Sequence, residues 1–286
     1  MLRVTSRHNP RLAEAAALIS SSRDRRKAGR CVLEGEHLVE VFLDRGGVPE
    51  ALIVVDERVA DPRFAALAAR VRDRDVIAVP AAIFGEVSTL PAAVGVLAII
   101  ATPAPALPPS ASFHLLLEDV QDPGNVGAIL RTAAAAGVEQ VLLSKHCAFA
   151  WAPKVLRAAQ GAHFLTTIVE DVDLVAWARA FRRHGRVVAT VAHGGIDLYA
   201  TEIPSNVAIA IGNEGAGLST ALVNEADARV TVPMPGGAES LNAAAAAAVV
   251  LFECVRQRRP GGEIAQLRTA EKRVSSRQLP GTGAEN

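Results

Sequence analysis

Six short apolar runs, at 113–117, 140–143, 165–168, 187–191, 207–211 and 229–232, alternate with helical patterns near 126–136, 153–161, 173–184 and 218–225. Strands that are apolar throughout and separated by helices suit a parallel sheet, because the crossover helices cover both of its faces. A last helix is expected from about 240 to 258, stopped by Pro260 and Gly261. The pattern confines this part of the chain to an α/β fold with a mostly parallel sheet, whose ligands gather at the carboxyl ends of the strands.

Upstream, residues 101–110 carry four prolines. Proline continues neither a helix nor a central strand, so this stretch reads as an extended linker. The expected organisation is a small α/β unit at 1–102, a linker at 103–110, the larger unit at 111–260, and a polar, aperiodic, flexible tail at 261–286. In the small unit we expect helices at 10–20, 36–44 and 64–72 and strands at 51–55, 76–79 and 94–100. Asn9-Pro10 is a helix start, with Pro10 in the first helical position.

Half of the residues are hydrophobic and 21% are charged, which excludes a disordered chain. Alanine dominates the apolar fraction, so close helix packing through small side chains is expected. Thirty basic residues balance thirty acidic ones, and only their distribution is informative. Residues 3–30 hold Arg3, Arg7, Arg11, Arg23, Arg25, Arg26, Lys27 and Arg30 against Glu14 and Asp24. A second basic stretch holds Arg256, Arg258, Arg259, Arg268, Lys272, Arg273 and Arg277. Both read either as solvated termini or as surfaces that track phosphates. Cys31, Cys147 and Cys254 are far apart, and the histidines form no ligand-like pair, so neither a disulfide framework nor a metal site is expected. The N-terminus lacks the apolar stretch of a signal peptide, and no run is apolar and long enough to span a membrane; a cytoplasmic location is expected.

Three loops at strand ends concentrate Gly, Pro, Asn and acidic residues. In 118–127, Asp122-Pro-Gly forms a turn, Asn125 sits near a helix cap, and Arg131 follows six residues later. In 212–217, Gly212, Gly215 and Gly217 are spaced as G-x-x-G-x-G, unlike the dinucleotide fingerprint, which argues against a nicotinamide enzyme. Glu214 would repel a pyrophosphate there, and a neutral or cationic ligand suits the loop, as does a simple tight turn. In 233–242, Ser240 is a natural N-cap and Asn242 lies in the first helical turn.

Taken together, the sequences 122–133, 211–219 and 232–243 resemble the three signature motifs of the SpoU (TrmH-like) family of RNA ribose methyltransferases, in the SPOUT superfamily. The resemblance covers 113–256. Less specifically, Ser6-Arg-His-Asn-Pro10, the basic run 23–27 and Leu33-Glu-Gly-Glu-His37 look like the RNA-binding substrate domain that precedes many such enzymes. That likeness would place Gln before Gly95, where this chain has Val94.

The resemblance implies a deep trefoil knot, a homodimer with active sites where two knots meet, and transfer of a methyl group from S-adenosylmethionine to a 2′-hydroxyl of RNA. Ribosomal RNA is favoured over transfer RNA. It gives catalytic positions to Asn125, Arg131, Glu214, Ser240 and Asn242. The cofactor would be lined by Ile211, Gly212, Asn213, Gly215, Gly217, Val232, Met234 and Leu241. RNA contacts are expected from Arg7, Asn9, Arg25, Arg26 and Lys27, and from Lys154 and Arg157, three apart on one helix. The family proposal makes Arg131 the proton acceptor. A guanidinium stays protonated, so gripping the RNA and stabilising the developing alkoxide is the role chemistry favours. The other readings are a SPOUT base methyltransferase and a non-enzymatic RNA-binding assembly factor.

Overall fold

A computed structural model describes residues 1–90, 95–104 and 111–258. The tail expected at 261–286, most of the proline-rich linker, and Val94 lie outside the described residues.

The C-terminal unit is a seven-stranded sheet. Its strands are β6 (Phe113–Leu117), β7 (Gln140–Leu143), β8 (Thr167–Val169), β9 (Arg186–Thr190), β10 (Ile196–Asp197), β11 (Val207–Ile211) and β12 (Ala228–Thr231). They lie in the order β10-β12-β9-β11-β6-β7-β8 and every pairing is parallel. The helices α6 (Pro123–Ala135), α7 (Pro153–Ala159), α8 (Leu174–Phe181), α9 (Thr220–Glu225) and α10 (Ala243–Arg258) cover it. The sheet grows from β6 through β7 to β8 in one direction. It then resumes at β9 on the other side, with β11 inserted beside β6. The carboxyl ends of β6 and β11 therefore form a topological switch point, the place near which ligands of such sheets gather.

The N-terminal unit is a five-stranded mixed sheet, ordered β1-β4-β3-β5-β2. It contains β1 (Leu2–Arg3), β2 (Arg30–Glu34), β3 (Ala51–Val55), β4 (Val76–Val79) and β5 (Val96–Ala101), with α1 (Pro10–Ser20), α2 (Ser22–Ala28), α3 (Glu36–Asp44), α4 (Pro62–Ala68) and α5 (Ala81–Val87). One buried apolar cluster joins the units, from Leu33, Leu38 and Val39 to Trp151, Val155 and Leu156. Phe42 and Phe164 meet across the junction at 5.2 Å.

Several expectations are corrected. The strand expected at 165–168 starts at Thr167, because a turn of 3-10 helix at Ala162–Phe164 takes up the preceding chain. The last helix starts at Ala243 rather than near 240. The basic run at 23–27 is itself helical, capped by the Ser21 side chain and closed by left-handed Gly29. Its Arg25 is buried, 6% exposed, and donates to the carbonyls of Leu18 and Ile19 at the end of α1. Cation and helix C-terminus attract each other, so Arg25 holds two helices together instead of facing RNA. Arg256 is paired with Glu253 at 2.7 Å, and half-buried Arg258 lies over the Phe113 ring at 3.7 Å. That part of the second basic stretch anchors α10. No helix among the described residues is long and apolar enough to cross a membrane.

His163, enclosed beside Trp151, reports on the junction. Its Nε2 lies 2.7 Å from the Ala150 carbonyl and must carry the proton, since the carbonyl only accepts. Burial pulls its pKa down to about 4. The unfolded chain protonates near pH 6.5, so between pH 6.5 and 4 it binds more protons than the native state. His163 therefore makes stability fall as pH drops through that window, by roughly 3 kcal/mol. His163→Gln keeps a donor and removes the titration; denaturant melts at pH 7 and pH 4.5 should differ less in the variant than in the wild type.

Candidate functional site

Asp122, not Asn125, caps α6: its Oδ1 accepts from the Asn125 backbone N–H at 2.8 Å. Asn125 occupies the third helical position and its side chain is released for other work. Its Nδ2 donates to Glu214 Oε1 at 2.9 Å, and its Oδ1 accepts from Asn242 Nδ2 at 3.0 Å. Asn242 Oδ1 in turn accepts from the N–H groups of Ala244 and Ala245, at 2.9 and 3.3 Å. Asn242, rather than Ser240, is therefore the cap of α10. Both ends of this line fix its direction, because an ionised carboxylate only accepts and a backbone N–H only donates. Burial by itself would raise the Glu214 pKa. Hydrogen bonds from the Asn125 side chain and from the backbone of Asp122 and Gln121 outweigh it and hold the carboxyl below its ordinary value.

The loop after β11 is a tight turn in which Asn213 and Gly217 exchange two backbone hydrogen bonds at 3.0 Å. Inside it, Asn213 Oδ1 accepts from Gly215 and Ala216 N–H at 2.9 Å, and its Nδ2 donates to the Asp119 carbonyl at 2.8 Å. Ser219 closes the turn, donating its N–H and hydroxyl to the Glu118 carboxylate, each at 2.7 Å. The loops after β6 and β11 are thus cross-linked along their length.

A cavity of about 350 Å³ opens between the loops after β11, β9 and β12. Ile211, Gly212, Asn213, Gly215, Gly217, Val232, Met234 and Leu241 all line it, as do Glu214 and Ser240. Thr190, at the end of β9, and Val191, Ala192 and His193, after it, line it too and were not expected. Gly194 and Gly195 beside them, at the end of an apolar run, were the available signal.

Asn125, Glu214 and Asn242 come together, but Arg131 does not join them. It is exposed, and its side chain has no hydrogen bond or ion pair to any described residue. Six residues past Asn125, it sits about 9 Å further along α6 and roughly 120° round it. The expected RNA contacts also divide. Arg7, Lys27 and Lys154 are exposed. Asn9 caps α1 through the Arg11 N–H at 2.9 Å. Arg26 pairs with Asp171 at 3.2 Å and lies over the Phe149 ring at 4.4 Å. Arg157 is held by Glu34 at 2.8 Å, and so is spoken for within the chain. Among the described residues, no group of three or more His, Cys, Asp or Glu side chains is placed to hold a metal ion.

A parallel sheet with a ligand-sized cavity at the carboxyl ends of β9, β11 and β12 defines a ligand-binding α/β protein, and comparison with known proteins narrows it. The model of the SpoU rRNA methylase family matches residues 112–252, and that of the MRM3-like substrate binding domain matches 9–98. The chain is 33% identical to the 23S rRNA (guanosine(2553)-2′-O)-methyltransferase RlmP of Bacillus subtilis, over 82% of this chain and 92% of that protein. It is 31% identical to the 23S rRNA (uridine(2479)-2′-O)-methyltransferase of Streptomyces viridochromogenes, over 91% and 93%. Among solved structures, the SpoU methyltransferase AviRb of Streptomyces viridochromogenes in complex with AdoMet superposes with a TM-score of 0.78 at 30% identity. That match covers 88% of this chain and 98% of AviRb. The chain belongs to the SpoU rRNA methylase family.

The turn after β11 is sterically tight at one glycine. A Cβ on Gly212 would lie 2.3 Å from the Gly217 carbonyl carbon and 2.4 Å from the Leu218 nitrogen, both backbone atoms that cannot swing aside. A Cβ on Gly215 would meet only Asn213 Oδ1, at an ordinary 3.7 Å. Gly212→Ala should lower stability by about 1–3 kcal/mol, while Gly215→Ala should melt close to the wild type; thermal unfolding of the two checks the difference.

Proposed function

We propose that this protein is an S-adenosylmethionine-dependent methyltransferase that modifies a ribose 2′-hydroxyl of ribosomal RNA, in the cytoplasm. The observation that carries the reading is the cavity beside the Asn125–Glu214–Asn242 line, in a chain whose full-length relatives bear that activity in their names.

The residues present fit the cofactor. The volume lies in the range of small-molecule sites. Ile211, Val232, Met234 and Leu241 offer an apolar wall, and the carboxylate of Glu214 favours a cationic ligand over a phosphate. When bound, S-adenosylmethionine supplies an activated methyl group. What remains for the protein is to orient a weakly acidic hydroxyl and stabilise the charge that develops on it. Asn125 and Asn242 hold the loops that face the RNA, Ser240 offers a hydroxyl at the cavity, and Arg131 supplies a permanent cation for phosphate and alkoxide. Arg7, Lys27 and Lys154 contact the RNA backbone, and the N-terminal unit serves as its RNA-binding domain.

The same reading makes the protein a homodimer. Ala245, Val249 and Phe252 form an apolar stripe on α10, continued by Leu241 just before it, with Phe252 49% exposed. Gly124, Ala128 and Ala135 form a small-residue stripe on α6 that also carries Arg131. Pairing these faces would bring Arg131 to the neighbouring protomer's cavity, in keeping with a side chain that has no partner among the described residues of its own chain. The knot belongs to this reading as well; after β12 the chain returns across the sheet to pack α10 on α6 and β11.

Incubation of unmodified ribosomal RNA with labelled cofactor, followed by nucleoside analysis, should yield a 2′-O-methyl nucleoside; a base-methylated product or none overturns the reading. Arg131→Ala should lower transfer at least about 100-fold with cofactor binding retained. Mixing it with Asn242→Ala should restore about a quarter of the activity, because half the dimers are mixed and each has one intact site. No restoration would show that each site is built from a single chain.

A further inference from the structure

The Leu33-Glu-Gly-Glu-His37 segment takes no part in the site, yet it holds a buried carboxylate. The Glu34 side chain is 2% exposed and lies at the end of β2 against α7. Four groups donate to it. They are the Ser88 hydroxyl at 2.8 Å, the Thr89 N–H at 3.1 Å, the Thr89 hydroxyl at 3.2 Å and the Arg157 guanidinium at 2.8 Å. Arg157 Nη1 also donates to the Thr89 hydroxyl at 3.0 Å. A carboxylate is kept ionised out of water only where such donors surround it. Of the four, only Arg157 comes from the C-terminal unit.

Arg157 sits on α7 next to Ala158, and α7 meets α6 almost backbone to backbone. A Cβ on Gly127 would lie 2.4 Å from the Ala158 Cβ and 2.7 Å from the Val155 carbonyl. Gly127 is two residues from Asn125 and four from Arg131. A short rigid path therefore runs from Glu34 through Arg157 and the α7–α6 contact to the helix that carries both residues.

We infer that Glu34, Thr89 and Arg157 are positioning residues, which set the RNA-binding unit in register with α6 so that RNA held by one reaches the reacting groups of the other. The inference rests on the RNA methyltransferase reading. On this inference Arg157 acts through Glu34 and not by touching RNA, unlike the contact expected from the sequence.

The test is steady-state transfer to ribosomal RNA by the full-length wild type, Glu34→Gln, Arg157→Met and the double variant, with cofactor affinity measured by calorimetry. Coupled partners give non-additive effects. Each single variant should raise the KM for RNA by on the order of tenfold, and the double variant should be no worse. The kcat at saturating RNA and the cofactor Kd should stay within about twofold, and Arg157→Lys should recover most of the loss. Thr89→Val, which deletes the hydroxyl donor and leaves both charges, should show the same signature if Glu34→Gln folds poorly. A raised KM for Arg157→Met together with an unchanged or lowered KM for Glu34→Gln would mean that Arg157 binds RNA directly, and would overturn the inference. So would a joint fall of kcat and cofactor affinity, the mark of a merely structural pair. A wild type that binds cofactor but transfers no methyl group would instead overturn the functional reading beneath it.

Discussion

Three side chains from distant parts of the chain, Asn125, Glu214 and Asn242, form one directional line of hydrogen bonds, and the carboxyl end of the sheet is organised around it. The line starts at an acceptor-only carboxylate and ends on the N–H groups that open α10, so each amide has a single satisfactory orientation. It ties the loop after β6 to the turn after β11 and to the start of the last helix. With the Asn213–Asp119 and Ser219–Glu118 bonds, it gives three irregular, glycine-rich segments a defined shape without regular secondary structure. A cavity with fixed walls is what a site acting mainly by positioning requires.

That arrangement depends on tight packing beneath it. Glycine at 127 lets α7 approach α6, and glycine at 212 lets the β11 loop fold onto itself. The alanine-rich face of α10 allows it to lie against α6 as the chain returns from β12. Small side chains account for the close approach in each case, consistent with a composition rich in alanine and poor in aromatics. The apolar core is continuous between the two units, so the N-terminal sheet is seated on α7 and not merely tethered by the linker.

Most of the C-terminal architecture was legible in the sequence because strands buried on both faces are apolar throughout and stand out from any helix period. The loops that carry the chemistry were legible as a set, since their unusual residues fall at strand ends. What was not legible depended on partners remote in sequence. Whether a basic residue faces solvent or plugs a helix end is decided by tertiary packing, and nothing local told Arg25, buried at the end of α1, from its exposed neighbours Arg26 and Lys27. Asp122 and Asn125 are both good caps, and nothing local says which one caps; the pull of Glu214 and Asn242 on Asn125 decides it. The edge strands β1 and β10, two residues each, are too short to leave a periodic signal.

The claim at the centre of this account is that the hydrogen-bonded line builds the cofactor cavity although Asn125 lies outside its wall. Calorimetric titration of S-adenosylmethionine into the wild type and into Asn125→Ala tests it most directly. Loss of the central amide leaves Glu214 and Asn242 without their shared partner, and should weaken binding by about tenfold in a protein that remains folded. Equal affinity in the two proteins would show that the loops hold their shape without the line, and would contradict the account.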